Sequence, residues 1–206
     1  MFTKTNLDKP ESKTRKGIQT KQAQRERNIL DTRRNFPALD ERNRGRVAIF
    51  IDGSNLFYAT LQLGLEIDYT KLLCCLIGES RLLRAFFYTG SDPTNERQQS
   101  FLHWLRCNGY RVIAKDLIQF PDGSKKADMD VEIAVDMITL AQYYDTAILV
   151  SGDGDLAYAA NQVSYQGTRL EVVSLRSMTS ESLIDVADYY TDLVDIKGDI
   201  QKEACS

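Results

Sequence analysis

The feature that most constrains this chain is the alternation of short apolar runs with longer segments of helical spacing. The runs RVAIFID, LLRAFFYTG, YRVIAKDLIQF, DTAILVSGDG and TRLEVVSL are separated by helical patterns. Continuous Val, Ile, Leu and Phe are typical of strands buried on both faces of a parallel sheet. The sequence therefore predicts an α/β fold of three layers, doubly wound, with helices on both faces of a mostly parallel central sheet. TRLEVVSL is expected to be the last strand, followed by a short helix and an irregular or edge segment.

Charge and composition divide the chain into three parts. Residues 1–45 carry 12 Lys and Arg against 6 Asp and Glu and few large apolar side chains, whereas the remainder carries 14 against 23. We expect a basic arm, flexible or loosely helical, at 1–45, the folded domain at 46–195 and a C-terminal tail at 196–206. A basic arm suits RNA or an acidic protein partner, and a plain solubilising tail is an equally open interpretation.

Composition also excludes several kinds of site. His103 is the single histidine, which rules out mechanisms that use two, and the four cysteines lack C-x-x-C or metal-ligand spacing. No window approaches the ~18 continuous apolar residues of a membrane span, and the N-terminus lacks the apolar centre of a signal peptide. We expect a cytoplasmic protein without a membrane partner. The sequence leaves the oligomeric state open, and a homodimer is one of the alternatives.

Acidic side chains follow two of the predicted strands. Asp52 ends the first strand, and Ser151, Asp153 and Asp155 follow the strand that begins at Ala147. In doubly wound sheets, ligands bind outside the carboxyl ends of the strands, near the point where strand order reverses. We therefore expect both groups of side chains at one edge of the sheet.

A third group of acids opens the helical pattern ADMDVEIAVDMITLAQYY. Asp130 shares a helix face with the apolar residues of this pattern, so we expect it at the rim of the sheet and directed inward. Asp128, Glu132 and Asp136 are expected to face solvent near the helix start, where negative charge is favourable. Asp128 remains an alternative candidate for the inward-facing acid, because predicted helix starts vary by a few residues.

Four carboxylates are thus expected to converge: Asp52, Asp130, Asp153 and Asp155. Without a cation, their repulsion and desolvation would cost several kcal/mol. Oxygen ligands without thiolate or imidazole favour Mg²⁺ or Mn²⁺, and we expect Asp52, Asp130 and Asp153 to bind the ion. Asp155 is expected to cap the next helix as well. A divalent ion held in this way supports phosphodiester hydrolysis, because it lowers the pKa of water and offsets charge on the leaving oxygen.

Polar residues near these acids are candidates for supporting roles. Ser54 and Asn55 follow Asp52 and are suited to hold a water, an acid or a phosphate oxygen. Lys125 and Lys126 precede the acidic helix and are suited to a phosphate backbone, although a polar turn is an equally good explanation of them. Glycines flank the first acid of SGDGD, and we expect them to turn the backbone tightly.

Three blocks together resemble a known family. VAIFIDGSN, then KKADMDVEIAVDM, then ILVSGDGDLAYAA followed by GTRLEVVS, are similar to the NYN-domain branch of the PIN-like nuclease superfamily, and within it to the LabA-like group. The resemblance runs from about Arg46 to about Tyr190. It implies a PIN-like α/β/α fold with a central parallel sheet, and an acidic pocket that binds Mg²⁺ or Mn²⁺ in members that cleave RNA.

The resemblance also assigns residues. Asp52 is similar to the metal acid of the first strand and Asn55 to the Asn that accompanies it, while Asp130 and Asp136 match the two acids of a D-V-x-x-A-x-D helix. The S-G-D-x-D block supplies the remaining matches, which are Ser151, Asp153 and Asp155. The chain departs from the family pattern at Leu156, where an aromatic residue is usual, and at Glu132.

Two functions follow from these residues and this resemblance. The first is a metal-dependent ribonuclease that hydrolyses phosphodiester bonds of single-stranded or structured RNA. The alternative is a non-catalytic RNA- or protein-binding regulator on the same fold, since LabA-like proteins are associated with cyanobacterial circadian output. A phosphatase of the haloacid dehalogenase type is disfavoured because Ser54 occupies the position of its second acid. A glycine-rich nucleotide loop is also disfavoured, because SGDGD offers carboxylates where phosphates need backbone donors.

Overall fold

The computed structural model describes residues 43–119 and 125–203. Most of the predicted arm at 1–45, including its expected helical part, therefore lies outside the described residues. The described strands are β1 (Arg46–Asp52), β2 (Arg81–Ser91), β3 (Tyr110–Asp116), β4 (Ile118–Gln119), β5 (Lys125–Lys126), β6 (Thr146–Val150), β7 (Arg169–Ser174) and β8 (Tyr189–Asp192). The described α-helices are α1 (Gly53–Leu63), α2 (Tyr69–Ile77), α3 (Glu96–Cys107), α4 (Asp130–Leu140), α5 (Ala157–Tyr165), α6 (Glu181–Val186) and α7 (Leu193–Ile200).

Six of these strands form one sheet in the order β3-β2-β1-β6-β7-β8, and every neighbouring pair is parallel. The chain builds outward from β1 through β2 to β3, then returns to the other side of β1 with β6. Strand order therefore reverses between β1 and β6, which is where doubly wound sheets bind ligands. The predicted α/β fold is confirmed, with a main sheet that is parallel throughout. A separate antiparallel pair joins β4 to β5.

The central strands are apolar because both of their faces are covered. In β1, Val47, Ile49 and Ile51 face one layer of helices, whereas Ala48 and Phe50 face the other. All five side chains are fully buried. This explains why β1 reads as a continuous apolar run rather than as an alternating one.

The helices form a layer on each face of the sheet. Buried residues of α1, α2, α3 and α7 pack on the Val47 face, and those of α4, α5 and α6 pack on the Phe50 face. Three of the helices begin with a capping aspartate, which accepts backbone N–H bonds of the first turn: Asp52 for α1, Asp68 for α2 and Asp192 for α7. None of the described helices is long and apolar enough to cross a membrane.

The C-terminal part of the chain differs from the expectation. β8 pairs with β7 and forms the edge of the sheet, so TRLEVVSL is not the last strand. The boundary placed at 195/196 falls inside α7, whose last residue, Ile200, is fully buried. Gln201 then pairs with Ile67. At least the first part of the expected tail therefore belongs to the folded domain.

The N-terminal boundary is also tied to the sheet. Arg44 lies within the segment assigned to the arm, yet its guanidinium pairs with Glu171 of β7 and donates to the backbone oxygen of Leu76 at 2.9 Å. Thr146 donates its hydroxyl to the backbone oxygen of Arg44 at 2.6 Å. Arg44 therefore belongs to the folded domain, which begins slightly before β1.

Candidate metal centre

The acidic side chains gather at the carboxyl edge of the sheet, beside the reversal of strand order. Ile51 of β1 pairs with Val150 of β6, so the next residues, Asp52 and Ser151, leave the sheet at the same height. Ser151 donates its hydroxyl to Asp52 Oδ2 at 3.2 Å and accepts the backbone N–H of Asp153 at 3.2 Å. The ends of the two strands are thus joined through one buried hydroxyl.

Three carboxylates form the centre of the site. Asp130, Asp153 and Asp155 each offer one oxygen atom, and these three atoms lie within 4.8 Å of one another. Asp130 is the first residue of α4, and the other two belong to the turn that follows β6. We call these three residues the acidic trio. They come from two separate elements, and their spacing suits a single cation.

Asp52 lies beside this trio rather than within it. Its side chain is buried, and Oδ1 accepts the backbone N–H groups of Ser54 and Asn55 at 3.1 Å and the Ser54 hydroxyl at 2.9 Å. One carboxylate oxygen is therefore used to cap α1, whereas Oδ2 accepts only the Ser151 hydroxyl among the described groups. From the sequence, Ser54 and Asn55 are expected to hold a water, an acid or a phosphate oxygen. Among the described residues, both bond to the acid Asp52, and the Asn55 side chain also accepts a backbone N–H.

Asp130 carries the clearest electrostatic signature of the site. Burial raises its pKa, and the negative charges of Asp128, Asp153 and Asp52, with a hydrogen bond to Asp128, raise it further to about 7. Asp128 also accepts the backbone N–H of Asp130 at 3.1 Å, which holds its negative charge close to the Asp130 carboxyl at the start of α4. A carboxyl group with such a pKa is stabilised by either a proton or a cation.

Asp153, and not Asp155, caps the turn between β6 and α5. Asp153 Oδ1 accepts the backbone N–H of Asp155 at 3.0 Å at the start of the 3₁₀ turn Gly154–Leu156. α5 begins after Leu156 and has no side-chain cap. The capping role expected for Asp155 is therefore wrong, because the 3₁₀ turn moves the start of the α-helix three residues further on.

Asn55 ties the two loops of the site together. Its side-chain oxygen accepts the backbone N–H of Gly152 at 3.0 Å, so the loop after β1 is bonded to the loop after β6. This contact spans about a hundred residues of sequence and holds Asp52 in place relative to Asp153.

The glycines of SGDGD are required by space and not by backbone torsion. Neither Gly152 nor Gly154 has a positive φ. A Cβ atom on Gly152 would lie 2.3 Å from the backbone oxygen of Met178, and one on Gly154 would lie 2.7 Å from Ser180 Oγ. The expected role in a tight turn is thus replaced by close packing of the turn against the segment after β7.

Several other acids and bases lie outside the acidic trio. Asp136 and Glu132 are half-buried rather than solvent-facing: Asp136 accepts the Tyr88 hydroxyl at 2.9 Å, and Glu132 pairs with Lys115 at 2.6 Å. The carboxylate of Asp136, which the resemblance matches to a family acid, therefore accepts a hydrogen bond from a tyrosine. Lys125 and Lys126 form β5, and their side chains lie outside what the structure describes.

Comparison with known sequences decides the family. The model of the family described as "NYN domain" matches residues 46–195, which is most of the chain. The chain belongs to the NYN domain family. The resemblance inferred from the three sequence blocks is confirmed.

The NYN domain of this chain is also LabA-like. It is 37% identical over 166 residues to the low amplitude and bright protein LabA of Synechococcus elongatus, covering 76% of this chain and 88% of that protein. A crystal structure of VPA0982, a protein of unknown function from Vibrio parahaemolyticus, matches with a TM-score of 0.67 and 30% identity. That match covers 80% of this chain and 100% of the other chain.

The acidic trio fits a hard divalent cation chemically. Its donors are carboxylate oxygens, which Mg²⁺ and Mn²⁺ accept, and no cysteine or histidine belongs to this group of described residues. The high pKa of Asp130 indicates uncompensated negative charge at the same point. The NYN domain therefore carries an acidic group at the place where a ligand-binding site of this fold is expected.

Proposed function

We propose that this NYN domain is a metal-dependent ribonuclease that hydrolyses phosphodiester bonds of RNA at the acidic trio. The observation that carries the proposal is the convergence of Asp130, Asp153 and Asp155 on one point, beside buried Asp52. Membership of a PIN-like nuclease family supports nucleic acid as the substrate. The cytoplasmic location expected from the sequence is part of the same proposal.

The ion is proposed to be Mg²⁺ or Mn²⁺. Asp130, Asp153 and Asp155 would hold it, and Asp52 is a further proposed ligand through Oδ2, which accepts one hydrogen bond in the described part of the chain. When bound, such an ion lowers the pKa of a water molecule and offsets charge on the leaving oxygen. It would also replace the proton that Asp130 otherwise holds near neutral pH.

The protein's own groups supply position and proton transfer. The bonds from Ser151 to Asp52 and from Gly152 to Asn55 keep the two strand ends at a fixed separation. Asp155 is exposed, and its carboxylate has no hydrogen bond to any described residue. We propose that Asp155, the exposed member of the acidic trio, uses the carboxylate oxygen that does not face the ion to accept the proton of the attacking water.

A cleavage assay tests this proposal. End-labelled RNAs, single-stranded and hairpin, are incubated with the native chain, Asp153→Asn or Asp185→Asn, in Mg²⁺, Mn²⁺ or chelator. Asp185 is the matched control because it is an exposed aspartate of α6, outside the acidic trio. We expect metal-dependent cleavage that falls about 100-fold in Asp153→Asn and is unchanged in Asp185→Asn. Equal activity in all three proteins, or none across the substrates, would refute the proposal.

The second candidate is a non-catalytic RNA- or protein-binding regulator. Two of the acids have structural roles that need no catalysis, since Asp52 caps α1 and Asp153 caps the following 3₁₀ turn. The similarity to LabA favours it as well. On this hypothesis the basic segment carries the binding. A chain that starts at Asn43 would then lose binding, and with it the dependence of binding on salt concentration, while acid-to-amide substitutions would have little effect.

A further inference from the structure

A cavity opens beside the loop that follows Asp52, at the carboxyl end of β1. It has a volume of about 800 Å³, within the range of small-molecule sites. Its wall includes Gly53 and Ser54, which directly follow Asp52, and Ala127, which directly precedes Asp128. Ser54 therefore contributes both to this cavity and to the hydrogen bonds of Asp52. The cavity and the buried acid Asp52 therefore share the loop that follows β1.

Aromatic rings form the floor and the rim of this cavity, which we call the aromatic pocket. Tyr69, Phe87 and Phe101 line its floor, with ring centroids 5.0 Å apart for Tyr69 and Phe101 and 5.8 Å apart for Tyr69 and Phe87. Phe57 and Tyr58 of α1 form the rim and are 56% and 61% exposed. Exposed rings leave apolar surface in contact with water, which is unfavourable unless a ligand or partner covers them. A pair of large exposed rings on one helix therefore indicates a binding surface.

The lining of the aromatic pocket is neutral. None of the described residues that line it is acidic or basic, whereas the acidic trio is negative. A flat, uncharged group attached to an anionic chain suits this pair of sites, because the group enters the neutral pocket and the anion meets the cation site. A nucleobase joined to a phosphodiester has these properties.

Among the described polar side chains of the pocket, the exposed amide of Asn95 is available to a ligand. The Gln98 side chain is already used, since it donates to the Gly90 oxygen at 2.9 Å and accepts the Asp92 N–H at 2.7 Å. Asn95 accepts the Gln98 N–H through Oδ1 at 3.1 Å. Its Nδ2 donors have no partner among the described residues. They can therefore donate to a ring nitrogen or carbonyl oxygen of a base.

We infer that the aromatic pocket binds an unpaired nucleobase of single-stranded RNA, next to the phosphodiester that lies at the acidic trio. The inference rests on the proposed ribonuclease function and narrows its substrate. A base can reach the pocket only when it is unstacked and unpaired, so a duplex does not use it. Stacking on aromatic side chains tolerates every base, and binding by this pocket is therefore expected to depend weakly on sequence.

Binding and cleavage by the full chain test the inference separately. Anisotropy of a short fluorescein-labelled RNA is measured in Ca²⁺ with the native chain, Phe57→Ala, Tyr58→Ala and Tyr165→Ala. Tyr165 is the matched control because it is 76% exposed, is the last residue of α5 and is not among the described residues of the aromatic pocket or the acidic trio. We expect single-stranded RNA to bind roughly 5- to 150-fold more weakly to the two α1 variants, the equivalent of about 1–3 kcal/mol per stacked base. The Tyr165 variant, and duplex RNA of the same sequence, should show no such loss.

A base analogue reports stacking directly, and cleavage by the same variants shows that they are folded. 2-Aminopurine, placed beside the cleaved bond, should be quenched by the native chain and not by Phe57→Ala or Tyr58→Ala. Cleavage by the native chain with unchanged binding and quenching in both variants would overturn the inference and leave the ribonuclease proposal standing. Ring-dependent binding without cleavage would support the pocket and overturn the ribonuclease. An equal loss in Tyr165→Ala would overturn the inference.

Discussion

Asp130→Asn is expected to stabilise the metal-free protein at high pH. The native carboxyl has a pKa of about 7 instead of 3.8, because it is partly buried and faces Asp128, Asp153 and Asp52. Between about pH 4 and about pH 7 the native state therefore keeps a proton that the unfolded chain has released. Stability must then fall as pH rises through this interval, and the loss is complete above it. An amide cannot ionise, so the variant avoids this loss.

The magnitude follows from the same pKa. A difference of about three pH units corresponds to about 4 kcal/mol for a fully buried group. Asp130 is partly exposed, and solvent screens its repulsion, so we expect about 1–2 kcal/mol. For a domain of this size, that difference raises Tm by about 2–8 °C.

Denaturant unfolding in chelator at about pH 5 and about pH 8 measures this effect. The variant should be more stable than the native chain at the higher pH, and the difference should shrink at the lower pH, where native Asp130 is protonated. Asp185→Asn, at an exposed position of α6, should show no such dependence. A variant that is less stable at the higher pH, or a difference that is the same at both, would refute the reasoning.

Three further substitutions test other parts of the structure. Mn²⁺ should raise Tm of the native chain in thermal unfolding but not of Asp153→Asn, and equal rises would exclude this residue as a ligand. Gly152→Ala should lower the free energy of unfolding by about 1–3 kcal/mol, because the new Cβ would lie 2.3 Å from a backbone oxygen. Gly198→Ala is the control: it lies in a helix with open space around it, and the substitution should leave the stability unchanged or raise it. Ile200→Ala should cost about 2–5 kcal/mol in denaturant unfolding, and Val194→Ala in the same helix, being half exposed, far less; similar losses would place Ile200 outside the core.

The parallel sheet could be predicted because its central strands leave a local signature. β1 is apolar at successive positions since both faces are covered, and this needs no knowledge of its neighbours. β8 leaves no such signature. Its residues, Tyr189–Asp192, are only half-buried at the edge of the sheet, so the sequence shows a mixed segment there and predicts TRLEVVSL as the last strand.

The location of the acidic edge could also be predicted, because carboxyl ends of parallel strands meet at one edge. The individual roles of the acids could not. Which of Asp153 and Asp155 caps the segment after β6 depends on a 3₁₀ turn of three residues. The lack of space for a side chain at Gly152 depends on the backbone of Met178, which follows β7 in the sequence. The bond between Tyr88 and Asp136 depends on how α4 packs across the sheet. The last two contacts join segments that are distant in sequence, and local sequence patterns do not predict such contacts.

Anomalous diffraction from a crystal soaked in Mn²⁺ shows directly whether the acidic trio binds a metal ion, because it locates the ion without assuming any activity. We expect a peak between the carboxylates of Asp130, Asp153 and Asp155, at roughly 2.0–2.2 Å from their oxygen atoms. The same soak of Asp153→Asn crystals should show a weaker peak or none. An empty acidic trio in the native crystal at saturating Mn²⁺, or a peak bound elsewhere alone, would contradict the account.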